Sequence, residues 1–361
     1  MTTATITPKR GASDSLTAGR LPRWGSPALL GGTVVASAAV FGILAAASGS
    51  AFSVAGWISV AVIAYIVIIY IVSRVVEGSR RAVDRFVTAL VTSAFGIAMI
   101  PLISLTWTVV ERGVARFDIT FFTSSMQGVV GPGGGALHAI VGTLLITLAA
   151  AIISVPIGLM TSIYLVEYGR GSLARAITFF VDVMTGIPSI VAGLFAYALF
   201  SMIFGPGHRS GVSGAIALSV LMIPVVVRSS EEMLRIVPNE LREASYALGV
   251  PKWLTIAKVV LPTALGGIAT GVVLSIARVI GETAPLLLTA GYIANMNYNL
   301  FADRMTTLPL FVWTMYRNSG GTDQADLDRV WTGALVLILI VLVLNLGARL
   351  IARYFAPKKG R

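Results

Sequence analysis

Pro238-Asn239-Glu240-Leu241-Arg242-Glu243-Ala244-Ser245-Tyr246-Ala247-Leu248-Gly249-Val250-Pro251, continued by Lys252-Trp253-Leu254-Thr255-Ile256-Ala257-Lys258-Val259-Val260-Leu261-Pro262, is the stretch on which the fold turns. Pro238 can open a helix, and the acid at Glu240 suits the positive end of its dipole. Gly249 ends that helix and Pro251 follows two residues later, a common stop. A second helix is expected from Lys252 to about Val260, with Leu261-Pro262 turning the chain away. Two short helices at a glycine corner make a rigid elbow. Such an elbow could lie on lipid or dock a cytoplasmic partner; its four acids and four bases over 229–262 balance, whereas a lipid-surface helix is usually rich in Lys and Arg. A loop this long is usually structured or functional.

Outward from the elbow the chain turns apolar on both sides. Apolar residues make up 56% of the chain and charged residues 12%, against about a quarter charged in soluble domains. Runs of about 20 apolar residues span a bilayer as helices, because the backbone must satisfy itself there. We read eight spans, near 27–48, 54–73, 86–110, 137–163, 176–204, 212–228, 263–291 and 331–352. Pro224 lies inside the sixth, and Gly281 and Pro285 interrupt the seventh.

Lys and Arg collect on alternate sides. The N-terminal tail, the loop after the second span, the loop after the fourth and the C-terminus together hold the whole net charge of +11. The loops of the other side (49–53, 111–136, 205–211 and 292–330) sum to about zero. Basic loops mark the cytoplasmic side, so both termini are expected inside. The charge is a topology signal and does not indicate nucleic-acid binding. Residues 128–135 read as a flexible outer linker, and 292–330 as an outer contact face carrying Asp303, Asp323, Asp326 and Asp328. The expected division is a basic tail over 1–24, an added helical hairpin and loop over 25–83, and a membrane core over 84–361 containing the loop 229–262.

There is no Gly-Lys pair for a nucleotide phosphate loop, no His-Glu-x-x-His and no Gly-x-Ser-x-Gly. With no cysteine and two histidines, no metal site is expected. The chain therefore reads as non-catalytic. Ionisable residues inside spans are functional candidates. Arg278 keeps its charge and offers a fork of donors to an oxyanion. Glu282 follows one turn later and could pair with Arg278, either in competition with an anion or as a fixed structural bond. Arg228, at the inner end of the sixth span, could be a second anion contact or could snorkel to the interface. Asp182 reads as a hydrogen-bonded structural carboxylate and His138 as interfacial.

Glu243-Ala244-Ser245, Gly249, Val259 and Leu261-Pro262 resemble the EAA motif of binding-protein-dependent ABC importer permeases, with Ser245 and Val259 in place of Ala and Ile. That resemblance implies a type I importer core of six spans, with the first two spans added. It also implies that Glu243, Ala244, Ser245, Gly249, Leu261 and Pro262 couple to a separate ATPase. Ala277-Arg278-Val279-Ile280-Gly281-Glu282-Thr283-Ala284-Pro285, Tyr164 to Arg170, Pro188 to Leu194 and Arg228 to Leu234 resemble the phosphate-transporting members, over roughly 84–356. The resemblance implies a second permease subunit (PstC type), a dimer of ATPase subunits (PstB type) that uses the ATP and Mg, and an extracytoplasmic phosphate-binding protein (PstS type). No cofactor is then expected on this chain. The alternative is a proton-coupled secondary anion transporter using Glu282 or Asp182, which leaves the elbow unexplained. An intramembrane enzyme would need a catalytic constellation that the sequence lacks.

Overall fold

The computed structural model describes residues 21–22, 24–49, 51–320 and 323–355. The basic residues Lys9, Arg10, Arg20, Arg23, Lys358, Lys359 and Arg361, on which much of the orientation rests, lie outside them. Among the described residues the chain is helical and has no strand. It divides into two compact units, Met1–Thr106 and Trp107–Arg361.

The first unit holds α1 (Gly25–Ser48), α2 (Val54–Val76) and most of α3 (Ser79–Gly113). Trp57 Nε1 donates to the Val34 carbonyl and ties α2 to α1. Glu77, at the corner between α2 and α3, is the polar centre of this unit. Its carboxylate accepts from Arg85 Nε at 2.5 Å, from Arg85 Nη2, from the Ser73 hydroxyl and from the Leu21 N–H. The Arg85 guanidinium and these further donors lower its pKa to about 2.

The second unit contains α4 (Ile119–Thr123), α5 (Leu137–Ile163), α6 (Ser172–Gly186), α7 (Ser189–Phe204), α8 (Gly211–Ile236), α9 (Asn239–Ala247), α10 (Lys252–Thr255), α11 (Leu261–Val279), α12 (Ala284–Thr289), α13 (Leu308–Asn318) and α14 (Gln324–Phe355). Helix α8 is its axis, with 61% of its most apolar window buried. Small residues permit that density, as interfaces between membrane helices require. Ala150, Ser154, Gly158 and Ser162 recur every fourth residue on α5 and are buried. A Cβ on Gly158 would meet Val226 at 2.6 Å, and Ser219 Oγ reaches the Ala150 carbonyl at 3.4 Å. Both pairs are offset by nearly the same number of residues, so α5 and α8 run parallel. Helix α11 runs antiparallel to α8, with Gly267 against Met233 and Gly271 against Ser229.

Among the described residues seven helices are long and apolar enough to cross a membrane, or eight when α6 and α7 count as one span. The expected straight span 176–204 is instead this pair, bent by 107°. The cause is Pro188, since a residue before proline avoids the helical region and Ile187 is extended at ψ 128. The sixth span ends at Ile236 rather than near 228, because ion pairs one turn apart carry α8 onward. The turn expected at Leu261-Pro262 is absent. A π-helical turn over Ile256–Val260 joins α10 to α11 in one run, Lys252–Val279. The wider turn accommodates a proline that lacks an N–H and crowds the preceding turn.

Nor is 128–135 a free linker. Arg116 donates to the carbonyls of Gly133 and Gly134, and Arg329, itself buried, donates to those of Gly131 and Gly133. Part of 292–330 is interior, since Leu308, Leu310 and Phe311 of α13 are buried.

Candidate functional site

The elbow is built as a clasp. Pro238 precedes α9, and Gly249 closes it at φ +76, with its N–H donating to the Tyr246 carbonyl. Ser245 and Thr255 face each other across the corner, their hydroxyls 2.8 Å apart and both residues buried. This pair explains a serine where the EAA pattern has alanine. Glu243, Ala244, Tyr246, Ala247, Leu248 and Gly249 are exposed instead, and Leu248 is 83% accessible. An exposed leucine and tyrosine among alanines and a glycine form a low-relief face suited to a protein partner.

Arg242 fastens this face to two long helices. Its Nε lies 3.0 Å from Glu167 Oε1, in the π-helical turn Tyr164–Tyr168 that ends α5. Its Nη1 and Nη2 donate to the carbonyls of Val237 and Leu234, satisfying acceptors left over at the end of α8. Lys252 adds a bond to the Glu167 carbonyl and lies over the Tyr168 ring. The Glu167 and Arg242 side chains are 5% and 12% exposed, so the pair is nearly dry. Sequence reasoning missed this clasp, although Glu167 lies in one of the quoted motifs. A carboxylate in the last turn before a predicted loop gave no sign of burial.

The same end of α8 holds a second network. Arg228 is paired with Asp182 of α6 and, at 2.9 Å, with Glu231. Glu231, 7% exposed, also accepts from Arg235 at 2.7 Å. Asp182 and Arg228 were singled out separately, and the fold brings them together.

Arg278 and Glu282 are not brought together. Helix α11 ends at Val279, and Glu282 falls in the break before α12. They no longer share a helix face, and among the described residues neither side chain has an ion-pair or hydrogen-bond partner. Arg278 is exposed and Glu282 half-buried. The register of α11 on α8 sets Arg278 level with the middle of α8. The break is packed from behind, since a Cβ on Gly193 of α7 would lie 2.6 Å from Pro285 Cα. Two motifs far apart in sequence therefore meet at one close approach. His138, expected at an interface, is buried against Tyr292 and Phe311, with both ring nitrogens unpartnered.

Residues 154–361 match the family described as binding-protein-dependent transport system inner membrane component. The phosphate transport system permease protein PstA 1 of Mycobacterium tuberculosis (strain H37Rv) is 46% identical over 296 residues, 81% of this chain and 94% of its own length. PstA of Yersinia pestis is 39% identical over 284 residues, 78% of this chain and 92% of its own. Among solved structures, the inward-facing MetNI methionine ABC transporter superposes with a TM-score of 0.51 at 20% identity, over 61% of this chain and 96% of that one. A bacterial alginate ABC transporter, in complex with its alginate pentasaccharide-bound periplasmic protein, has a TM-score of 0.51 at 15% identity, over 74% and 96%. These likenesses show the type I importer permease fold. With seven or eight candidate spans among the described residues, a broken helix carrying Arg278 and an elbow clasped to α5 and α8, the chain belongs to the binding-protein-dependent inner membrane permeases and, within them, to the PstA phosphate transport permeases.

Proposed function

We propose that the chain forms half of the transmembrane pathway of an ATP-driven phosphate importer. Its partners in this reading are a second permease subunit, a dimer of ATPase subunits and an extracytoplasmic phosphate-binding protein. The observation that carries the proposal is Arg278, an exposed guanidinium with no partner, level with the middle of α8. A charge at that depth facing lipid is costly, so it belongs against a second subunit or a water-filled path. Its fork of donors suits a passing oxyanion. Glu282, unpaired across the helix break, stays close enough in sequence to respond when the break moves.

Coupling runs through the elbow. Glu243, Ala244 and Gly249 lie on its exposed face, where the ATPase subunit docks in this reading. Ser245 braces the corner from within, and Leu261 and Pro262 continue the helix into the membrane. Arg242, Glu167 and Lys252 then carry a push on the elbow into α5 and α8. Arg228, held by Asp182 and Glu231, acts as a latch at the inner end and is open to phosphate only when that latch loosens. Both termini lie in the cytoplasm, and the chain hydrolyses nothing and holds no cofactor. ATP and Mg act on the ATPase subunits. Residues 1–24 are a cytoplasmic tail, and 25–83 an added hairpin.

The alternative, a proton-coupled transporter, loses one carboxylate to the Asp182–Arg228 pair and retains Glu282. Uptake of labelled phosphate into vesicles holding the assembled complex, with ATP and the binding protein and with the proton gradient collapsed, separates the two. Uptake that persists without the gradient and stops without ATP is expected. Uptake that dies with the gradient would move the function to Glu282.

A further inference from the structure

Three arginines converge at the end of the bundle opposite the elbow. Arg209 precedes α8, Arg304 lies in the loop after α12, and Arg317 is in the last turn of α13. With Tyr292, Trp313 and Asn318 they line one cavity of about 420 Å³. The stems of two of them meet at Gly291, which has φ +69. A Cβ there would lie 2.9 Å from Arg209 Cδ and 3.3 Å from Arg304 Cδ. A glycine relieves both the backbone strain and the contact with the two stems.

Among the described residues, none of the three guanidiniums has a carboxylate within 4.0 Å or a hydrogen-bond partner. Their neighbours at this end differ. Arg116 and Arg329 bond to glycine carbonyls and to Asp118 and Asp326. Asp303 is next in sequence to Arg304, yet its carboxylate accepts the backbone N–H of Arg304 and not the guanidinium. Positive charge is therefore gathered and left open in a concave site, although acids are within reach along the chain.

We propose that this cavity is a receiving site for a phosphate-type oxyanion, held there before it reaches Arg278. The proposal rests on the phosphate importer reading above. Planar guanidinium forks match pairs of oxygens on a tetrahedral oxyanion. Three like charges in one concavity also concentrate anions locally. The concavity and the two arginine stems crossed over Gly291 favour a small ligand. An acidic protein face would meet the same charges on a flatter surface.

The test uses the assembled complex in nanodiscs without the binding protein. Phenylglyoxal, which modifies unpaired guanidiniums, is mapped by peptide mass spectrometry in inorganic phosphate and in chloride of equal ionic strength. Arg209, Arg304 and Arg317 should react while Arg116 and Arg329 do not, and phosphate should slow the three together. Arg304→Gln should raise the phosphate concentration that half-protects Arg209 and Arg317 about tenfold. Equal protection by sulfate supports the site as one for oxyanions in general. Protection of Arg278 without protection of the three overturns this inference and leaves the importer standing. So does protection of the three by added binding protein but not by phosphate, which makes them a docking surface. Gradient-dependent uptake, by contrast, would sink the importer reading and not the chemical mapping.

Discussion

Two groups of arginines in the second unit are held differently, one beside the elbow and one around Arg278 and the far cavity. At the elbow end, Arg228, Arg235 and Arg242 each hold a carboxylate, and Glu231 and Glu167 are nearly buried beneath them. At mid-height and at the far end, Arg278, Arg209, Arg304 and Arg317 hold none among the described residues. A nearly dry ion pair such as Arg242–Glu167 is expensive to break from one side. An open guanidinium is available to a ligand. In the function proposed above, force would pass through the satisfied arginines beside the elbow and anions past the open ones.

The largest expected effect tests the open class. Arg278→Gln should reduce phosphate uptake to background while the complex still assembles and hydrolyses ATP, and normal uptake by that variant would end the role given to Arg278. Next comes the closed class. Glu167→Ala strands Arg242 at a nearly buried position and should destabilise the complex by about 3–5 kcal/mol, the usual cost of breaking such a pair from one side. Thermal unfolding reads the loss, and a mild effect would mean that the clasp is wetter than its exposure implies. Gly193→Leu drives a side chain into Pro285 and should cost about 1–3 kcal/mol by overpacking, with loss of uptake exceeding loss of assembly. A smaller effect is expected at the corner. Ser245→Ala removes one hydroxyl of a buried pair and should cost about 1 kcal/mol, and Thr255→Val added to it should recover much of that. If the double variant is no better than the single, the hydroxyl pair is not what holds the corner.

The smallest effect, at working pH, concerns Glu77 in the first unit. Its folded pKa is depressed to about 2, so its stabilisation is complete above the ordinary carboxylate range and disappears as pH falls through about 2. Unfolding midpoints should be flat from pH 7 to 5 on this account and fall below about 4.5. Glu77→Gln should flatten that acid limb.

Membrane class and the seven or eight candidate spans among the described residues were legible because apolar run length is a local property. The elbow was legible because Pro238, Gly249 and Pro251 act on their own backbone. The candidate site was legible only in part. Arg278 stood out as a charge inside an apolar run. Its pairing with Glu282 was expected from helical spacing and is absent, because the helix ends at Val279. Arg209, Arg304 and Arg317 were hidden by arithmetic, since loops that sum to about zero conceal charges that folding segregates. The bend at Pro188 was missed because length and hydropathy do not register direction.

The sequence by itself determined that this chain is a multi-helical membrane protein with a balanced, glycine-cornered elbow and a charged, broken span. These are properties of runs and of local backbone chemistry. Only the tertiary structure decided which arginines are satisfied and which are open. That depends on partners such as Glu167 and Arg242, 75 residues apart, or Arg209 and Arg304 meeting over Gly291. A hydrogen-bonded pair needs donor and acceptor within about 3 Å, and distances at that scale are set by packing, not by position along the chain.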